Sequence, residues 1–126
     1  MKYALITGSN GLVGSEAVDF FIKKKFKIIA IDNNFRRYFF GKNADTTWQR
    51  KLQIRNFKKE IFHHNIDIRN QKKITDIFLK YKKNIRCIIH AAAQPSHDWA
   101  YKEPILDFDI NARSTLHLLE CTKKYC

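Results

Sequence analysis

The chain has 126 residues, of which 44% are hydrophobic, and it carries a formal net charge of +12. This length predicts one domain, residues 1–126, and no apolar run approaches the ~20 residues that would span a bilayer. The sequence shows neither a secretory signal nor a C-x-x-C pair among Cys87, Cys121 and Cys126, so we expect a cytoplasmic protein with free thiols, away from membranes.

The glycines are concentrated near the N-terminus. Gly8, Gly11 and Gly14 directly follow the apolar run 3–6 and directly precede an amphipathic stretch, 12–24. This order predicts a strand (2–7), a tight turn and a helix (12–24). Glycine in such a turn lets main-chain N–H groups approach phosphate oxygens, and the helix dipole adds positive potential. The pattern therefore indicates a pyrophosphate site, with a dinucleotide as the expected ligand.

An acidic residue stands where a second dinucleotide signal is expected. The apolar strand 27–32 ends at Asp32, eighteen positions after Gly14. A carboxylate there accepts hydrogen bonds from both hydroxyls of the adenosine ribose and repels a 2′-phosphate, which favours NAD over NADP. Arg36 and Arg37 lie close enough to accommodate such a phosphate, so NADP stays open.

Strands and helices alternate along the rest of the chain. A long excursion, 33–60, contains a predicted helix over 44–59. It is followed by strand three (61–66), by a helix (71–82) and by strand four (86–91). The helix has Ile74, Ile77, Phe78 and Tyr81 on one face. A last helix over 104–123 is expected to bury Phe108, Ala112, Leu116 and Leu119. The adjacent His63 and His64 would point to opposite faces of a strand, and no metal site is expected.

This alternation predicts an α/β fold with a parallel sheet. Right-handed crossovers give the strand order 3-2-1-4, part of a Rossmann-type doubly wound sheet without its second half. Ligands of such sheets bind beyond the carboxyl ends of the strands, where the glycine loop, Asp32, Asp67 and the segment 91–97 would meet.

The positive charge needs an anionic partner or a structural explanation. Lysines outnumber arginines and cluster at predicted helix ends, for example Lys23–Lys25, Lys82–Lys83 and Lys123–Lys124, where they complement the helix dipole. Arginine would be expected for specific recognition of bases. We therefore expect no specific nucleic-acid partner and assign the charge to attraction of an anionic nucleotide substrate.

Several segments resemble one enzyme family. Residues 7–14, Thr-Gly-Ser-Asn-Gly-Leu-Val-Gly, are similar to the T-G-x-x-G-x-x-G loop of the extended short-chain dehydrogenase/reductases, the NAD-dependent epimerase/dehydratase group. The resemblance continues through 32–34, 67–69 and Asn111. The segments 36–41 and 92–100 resemble the CDP-paratose (CDP-tyvelose) 2-epimerase branch, of which this chain covers the N-terminal part.

The resemblance implies roles for individual residues. Gly8, Gly11 and Gly14 would hold the pyrophosphate of NAD, and Asn10, Leu12 and Val13 of the same loop would also bind the cofactor. Asp32, Asn33, Asn34 and Arg36 or Arg37 would surround the adenosine ribose, and Asp67 and Ile68 the adenine. Ala91, Ala92 and Ala93 would pass the nicotinamide ribose. Gln94, Ser96 and His97 would face a nucleotide-sugar substrate, a CDP-sugar by resemblance, whereas Asn111 is expected to be structural.

Catalysis in this family uses a tyrosine with a lysine four residues later, beyond strand four. The only such string here, Tyr38 to Lys42, follows strand two and contains Gly41, so we expect packing from its aromatic residues rather than catalysis. The resemblance therefore implies an epimerase portion that is inactive alone and that associates with a chain supplying the missing half. The alternatives are another NAD(P)-dependent epimerase, dehydratase or reductase of nucleotide sugars and a noncatalytic dinucleotide-binding module.

Overall fold

Four parallel strands form the sheet in the order β3-β2-β1-β4, which confirms the predicted topology. The computed structural model describes all residues, 1–126. The strands are β1 (Tyr3–Thr7), β2 (Lys27–Ile31), β3 (Ile61–His64) and β4 (Ile85–His90). The helices are α1 (Leu12–Lys23), α2 (Phe35–Phe40), α3 (Thr47–Phe57), α4 (Gln71–Tyr81), α5 (His97–Lys102), α6 (Pro104–Phe108) and α7 (Ser114–Tyr125). No helix is both long enough and apolar enough to cross a membrane.

Both faces of the sheet are covered because successive strand residues point to opposite sides. On one face, Leu5, Ile29 and Ile31 belong to the larger core cluster, which includes residues of α4 and α7. On the other face, Ala4, Ile6, Ile28 and Ala30 belong to a smaller cluster that includes Val18 of α1. The fold is therefore three-layered, with the carboxyl ends of all four strands at one edge.

The glycine loop brings three main-chain segments into contact. A Cβ atom at Gly14 would overlap the carbonyl oxygen of Gly8, and one at Gly8 would lie 2.8 Å from the amide nitrogen of Ala92. Gly8 also has a φ of +65°, a conformation that other residues adopt at a cost. The first turn of α1 can therefore pack against the loop, and the loop against the segment after β4, only with glycine at these positions.

A directed chain of hydrogen bonds ties β1, β4 and α7 together. The Thr115 hydroxyl donates to the Asn111 carbonyl oxygen at 2.7 Å, so its oxygen accepts from His90 Nε2, 3.0 Å away. His90 Nδ1 therefore accepts from the Thr7 hydroxyl at 2.7 Å, and Thr7 Oγ1 accepts from the Ala92 amide at 3.1 Å. This series of hydrogen bonds requires the neutral Nε2–H tautomer of His90. Burial lowers the pKa of the His90 ring, which favours the neutral form.

The last helix differs from its prediction. It is interrupted by a π-helical turn, Asp109–Arg113, and its buried residues are Ile110, Ser114, Leu118 and Cys121. The predicted stripe consists of Phe108, Ala112, Leu116 and Leu119. It is displaced from the buried residues by two positions along the helix, a rotation of about 200°, and it faces outward. The predicted burial was wrong because apolar periodicity identifies an apolar stripe but not the side of the helix on which the sheet lies. On the buried side, the Ser114 hydroxyl donates to the Asp109 carbonyl in the π-helical turn at 2.7 Å.

The helices α2 and α5 were also not foreseen, because each has only six residues. By contrast, the helix predicted over 71–82 is present as α4, and its four predicted apolar residues, Ile74, Ile77, Phe78 and Tyr81, are all buried.

We predict that Gly14→Ala lowers the free energy of unfolding by about 3 kcal/mol, because the added methyl group would overlap main-chain atoms that cannot move aside. Gly41→Ala is the matched control. Gly41 has a φ of +83° and a ψ of −175°, a conformation that other residues adopt only with strain, but it has open space around its Cβ position. This variant should therefore lose only the strain energy, about 1 to 2 kcal/mol. Urea unfolding of both variants measures the difference, and equal losses would contradict the packing argument.

We predict that His90 is neutral with its proton on Nε2, and that its titration destabilises the fold as pH falls. Its pKa is below the ordinary value in the folded chain, so the unfolded chain binds more protons between that pKa and about 6.5. The stabilisation is complete above that window and is lost as the pH drops through it. Ring nitrogen shifts report the tautomer, and unfolding curves of wild type and His90→Gln report the pH dependence. A proton on Nδ1, or identical pH dependence in both proteins, would be the contrary result.

Candidate functional site

A cleft of about 300 Å³ opens at the carboxyl ends of β1, β2 and β4. Thirteen of the fifteen residues predicted to bind a cofactor line it: Gly8, Gly11, Leu12, Val13, Gly14, Asp32, Asn33, Arg36, Asp67, Ile68, Ala91, Ala92 and Ala93. Its lining also includes six residues that were not predicted: Ile31, Phe35, Thr46, Ile66, Pro95 and Ile110. The topology thus brings together segments as far apart in sequence as Gly8 and Ile110.

The glycine loop forms one wall of the cleft. Gly11 precedes the first turn of α1, where N–H groups have no partner within the helix and carry the positive end of the dipole. A Cβ atom at Gly11 would meet only the Gly8 carbonyl oxygen, at 3.3 Å. No side chain lies within 4 Å of that position, which leaves room for an anion held by main-chain amides.

Asp32 is oriented by the main chain on both sides. Its Oδ2 accepts from the Asn10 amide at 3.0 Å, and its Oδ1 accepts from the Asn34 amide at 2.7 Å. Each carboxylate oxygen retains acceptor capacity for a further donor from the cleft. Asn10 and Asn34, the two predicted cofactor residues that do not line the cleft, thus contact the carboxylate through their main-chain amides.

The Asn34 side chain anchors the segment that follows. Asn34 has a φ of 59°, its Nδ2 donates to Asp45 at 3.1 Å, and its Oδ1 accepts from the Thr46 amide at 2.9 Å. Hydrogen bonds from the Thr47 hydroxyl and amide, then from Asn34, hold the pKa of Asp45 at about 2. This network positions Thr46 on the cleft beside Asp32.

Asp67 lies at the far end of the cleft with Ile66 and Ile68. Arg69 Nη2 donates to Asp67 Oδ2 at 2.6 Å, and the Arg69 guanidinium lies 5.1 Å from the Phe35 ring centre. Burial raises the pKa of Asp67, but its side-chain and main-chain hydrogen bonds from Arg69 outweigh that effect and hold the pKa below the ordinary value. The Asp67 carboxylate is thus engaged by Arg69, beside an apolar surface that a flat ring can contact.

The segment after β4 forms the opposite wall. Ala91, Ala92 and Ala93 line the cleft, whereas Gln94 is only 4% exposed. Asn111 clasps the Gln94 main chain, accepting from its N–H at 2.8 Å and donating to its carbonyl at 2.9 Å. Asn111 thus makes the main-chain contacts that were expected of a structural residue.

The three residues expected to face the substrate do not line the cleft. The Gln94 side chain is used internally: its Nε2 donates to the Ser96 carbonyl and to Asp107, and its Oε1 accepts from the Ser96 amide. Ser96 caps α5 by accepting from the Trp99 amide at 3.3 Å. His97 is exposed at the start of α5, so a substrate role for these residues stays a prediction.

An aromatic cluster joins α2 to α5 beside the cleft. Tyr38 stacks on Phe35 at 5.0 Å, its ring lies 5.3 Å from Trp99, and Trp99 Nε1 donates to the Phe39 carbonyl at 2.9 Å. Gly41 ends α2 before Lys42, so Tyr38 and Lys42 do not share a helix. The string Tyr38 to Lys42 therefore contributes packing in this structure.

Gln53 is a supporting residue that the sequence did not reveal. It is 1% exposed on α3, and its Nε2 donates to the Ser9 carbonyl at 2.8 Å, beneath the glycine loop. Ser9 Oγ, Asn10 Oδ1 and Gln53 Oε1 are buried without a protein partner. A polar residue in the middle of a predicted helix was the only available signal, and it does not identify a contact 44 residues away.

The two adjacent histidines lie at the end of β3 and away from the cleft lining. Burial, reinforced by Arg50 and His64, lowers the pKa of His63 to about 4, and burial also lowers the pKa of His64. No group of three or more His, Cys, Asp or Glu side chains is placed to hold a metal ion.

Comparison with known proteins places this architecture in a family. A family model described as GDP-mannose 4,6 dehydratase matches residues 5–126. The chain is 33% identical over 121 residues to the CDP-paratose 2-epimerase of Salmonella typhi and, over the same length, to a putative UDP-glucose 4-epimerase of Methanocaldococcus jannaschii. These alignments cover 96% of this chain but only 32% and 34% of the relatives.

Solved structures give the same result. UDP-glucose 4-epimerase from Thermotoga maritima with UDP-glucose is 27% identical, with a TM-score of 0.72. UDP-glucose 4-epimerase from Thermus thermophilus in complex with NAD is 25% identical, with a TM-score of 0.73. Each comparison covers 98% of this chain and 34% of the solved one, so the chain spans about a third of the length of its relatives. The chain belongs to the GDP-mannose 4,6 dehydratase family, within the NAD-dependent epimerases and dehydratases of the extended short-chain dehydrogenase/reductase type.

Proposed function

We propose that this chain is the NAD-binding portion of a nucleotide-sugar epimerase. The observation that carries the proposal is the hydrogen bond from the Asn10 amide to Asp32, which fixes the carboxylate directly beside the open glycine loop. The pyrophosphate would lie against Gly8, Gly11 and the first turn of α1, and the ribose hydroxyls would donate to Asp32. Asp67, Ile68 and Phe35 would border the adenine.

The surroundings of Asp32 favour NAD over NADP. A 2′-phosphate would be placed against a carboxylate that both flanking amides hold in position. Of the two arginines that left NADP open, Arg37 donates to Asp45 at 3.3 Å. The other, Arg36, lies over the Phe40 ring at 5.1 Å, so the aromatic ring and the phosphate would compete for its guanidinium.

We further propose a CDP-sugar as the substrate, by resemblance to CDP-paratose 2-epimerase. The two relatives above are equally identical to this chain, so identity does not separate CDP-sugars from UDP-sugars. The proposal is supported by the segments 36–41 and 92–100, which carry the specific resemblance and contact each other through Tyr38, Phe39 and Trp99. They therefore form one structural unit beside the cleft.

NAD, when bound, supplies hydride removal from a sugar carbon and hydride return to the resulting ketone. The residues of this chain would bind and orient the dinucleotide, with Ala91–Ala93 small enough to admit the nicotinamide ribose. We propose that the isolated chain does not epimerise sugars, because Tyr38 packs among aromatic rings and Gly41 separates it from Lys42.

Association with a polypeptide that extends the sheet is part of the same proposal. Strand β4 is an edge strand, and a cleft of about 360 Å³ lies between it and α7. Leu119 lines this cleft and is 61% exposed, and Leu116, about one turn earlier on α7, is 59% exposed. An open strand edge next to exposed apolar side chains favours association.

We predict that Gly11→Val weakens NAD binding at least about tenfold, because its side chain would occupy the space in front of the first-turn amides. Wild type should bind NAD more tightly than NADP. Calorimetric titration measures both. The control variant, Ala112→Val, also places a valine side chain, but at an exposed position outside the cleft. It should bind NAD as the wild type does. Equal NAD affinity in the two variants would refute the proposed pyrophosphate position.

We predict that the purified 126-residue chain, supplied with NAD and a CDP-sugar, forms no 2-epimer. Carbon NMR of the sugar over many hours follows the reaction, and NAD binding measured in the same sample shows that the chain is folded. Sustained epimerisation would show that residues of this chain supply the missing base.

A further inference from the structure

The positive charge of this protein is concentrated at one edge of the fold. Thirteen of the 24 lysines and arginines lie at the edge where the strands begin, opposite the cleft. We call them the basic edge: Lys2, Lys23–Lys25, Lys27, Lys58–Lys59, Lys80, Lys82–Lys83, Arg86 and Lys123–Lys124. Glu60 is the one acidic residue within these segments, which leaves eleven basic and eleven acidic side chains for the rest of the chain. The basic edge therefore carries the entire net charge of +12.

The topology produces this segregation. Strands β1 and β2 begin side by side, with the Lys27 amide donating to the Lys2 carbonyl at 3.0 Å. Helix α1 ends just before β2, α3 just before β3 and α4 just before β4. Helix α7 ends there too, since Cys126 Sγ lies 3.8 Å from the Lys82 carbonyl oxygen. Four helices thus end at the edge where four parallel strands begin.

Compensation of helix dipoles accounts for only a small part of this charge. A helix C-terminus is equivalent to about half a negative charge, so four helices contribute about −2. Carboxylates do not neutralise the rest, because the three ion pairs of the chain, Arg37–Asp45, Arg69–Asp67 and Arg113–Asp109, all lie outside the basic edge. Twelve of its thirteen basic residues are exposed, Lys27 being half-buried. The edge is therefore an uncompensated cationic surface.

Aromatic rings lie among these cations. Lys2 lies 4.3 Å from the Phe26 ring, Lys24 5.6 Å from Phe20 and Lys27 5.7 Å from Phe62. Phe20 and Phe62 are 54% and 38% exposed. Such rings beside lysines suit a single-stranded nucleic acid, whose phosphates pair with ammonium groups while its bases stack on aromatic faces.

A membrane surface fits this edge less well. Interfacial binding relies on a helix lying in the membrane plane with its apolar face inserted, whereas the helices here meet the edge with their ends. The four strand ends span about 15 Å, which is long enough for a strand of nucleic acid to bring several phosphates against the lysines of the basic edge.

We propose that the basic edge binds single-stranded nucleic acid through its phosphates, without sequence readout, at a surface separate from the dinucleotide cleft. The preponderance of lysine over arginine agrees with point-charge contacts to phosphate rather than bidentate recognition of bases.

The test is fluorescence anisotropy of a labelled oligo-dT 20-mer over a range of salt concentrations. The edge variant replaces Lys23, Lys58, Lys83 and Lys123 with glutamine. The matched control replaces Lys42, Lys51, Lys72 and Lys73, which are equally exposed but lie outside the basic edge, and it changes the net charge by the same amount. Thermal unfolding of both variants verifies that they remain folded.

We expect micromolar binding of the wild type at 50 mM salt, a loss of about a hundredfold or more in the edge variant, and near-normal binding in the control. The slope of log K against log salt should fall by up to about 3 in the edge variant, since each lost contact to single strands contributes about 0.7.

Three results would overturn the proposal. The first is that the wild type does not bind the oligonucleotide at 50 mM salt. The second is an equal loss of affinity in both variants, which would make the interaction a general effect of net charge. The third is binding to phosphatidylserine vesicles without binding to the oligonucleotide. A selective loss in the edge variant supports it.

Discussion

The site depends on the contact of main chain with main chain around Gly8. The first turn of α1 is packed against the Gly8 carbonyl so closely that no Cβ fits at Gly14, and Gly8 itself is packed against Ala91 and Ala92. These contacts set the distance between the helix N-terminus and the end of β4. The glycines of the loop also carry no side chain that could cover the main-chain amides on this wall of the cleft. A larger residue at either glycine would therefore change the shape of the whole cleft.

Polar side chains around the cleft mainly position other groups. Thr7 and His90 hold the Ala92 amide, Gln53 holds the Ser9 carbonyl, and Asn111 holds the Gln94 main chain. Each of these hydrogen bonds joins parts of the chain that are far apart in sequence. Asp32 differs from them, because its carboxylate is held by the Asn10 and Asn34 amides and itself lines the cleft. The chain thus supplies a surface rich in main-chain groups with the carboxylate of Asp32 beside the glycine loop, while the second carboxylate of the cleft, Asp67, is paired with Arg69.

The sequence was sufficient for the features that depend on local pattern. Glycine spacing, alternating apolar segments and a strand-terminal acid predicted the strand order, the glycine loop and Asp32, and the family resemblance supplied the other residues of the thirteen that line the cleft. It was insufficient where two distant segments meet, as for Gln53 and Ser9, or where a helix has only six residues, as for α2 and α5. The face of α7 was predicted wrongly because apolar periodicity identifies an apolar stripe but not the side on which the sheet lies. In this chain the stripe with Leu116 and Leu119 is exposed, and the face with Ser114 is buried.

The distribution of charge corrects one inference from composition. The net charge of +12 suggested general attraction of an anionic nucleotide, yet all of it lies at the edge opposite the cleft, about four to six strand residues away. At roughly 3.3 Å per residue this separation is about 13 to 20 Å, longer than the Debye length of about 8 Å at physiological ionic strength. Attraction of phosphate at the cleft therefore depends on local groups: the oriented amides of the glycine loop, the dipole of α1 and the guanidinium of Arg36, which lines the cleft. The two ends of the sheet thus differ in the groups they present to anions. The cleft presents main-chain amides, and the basic edge presents lysine side chains.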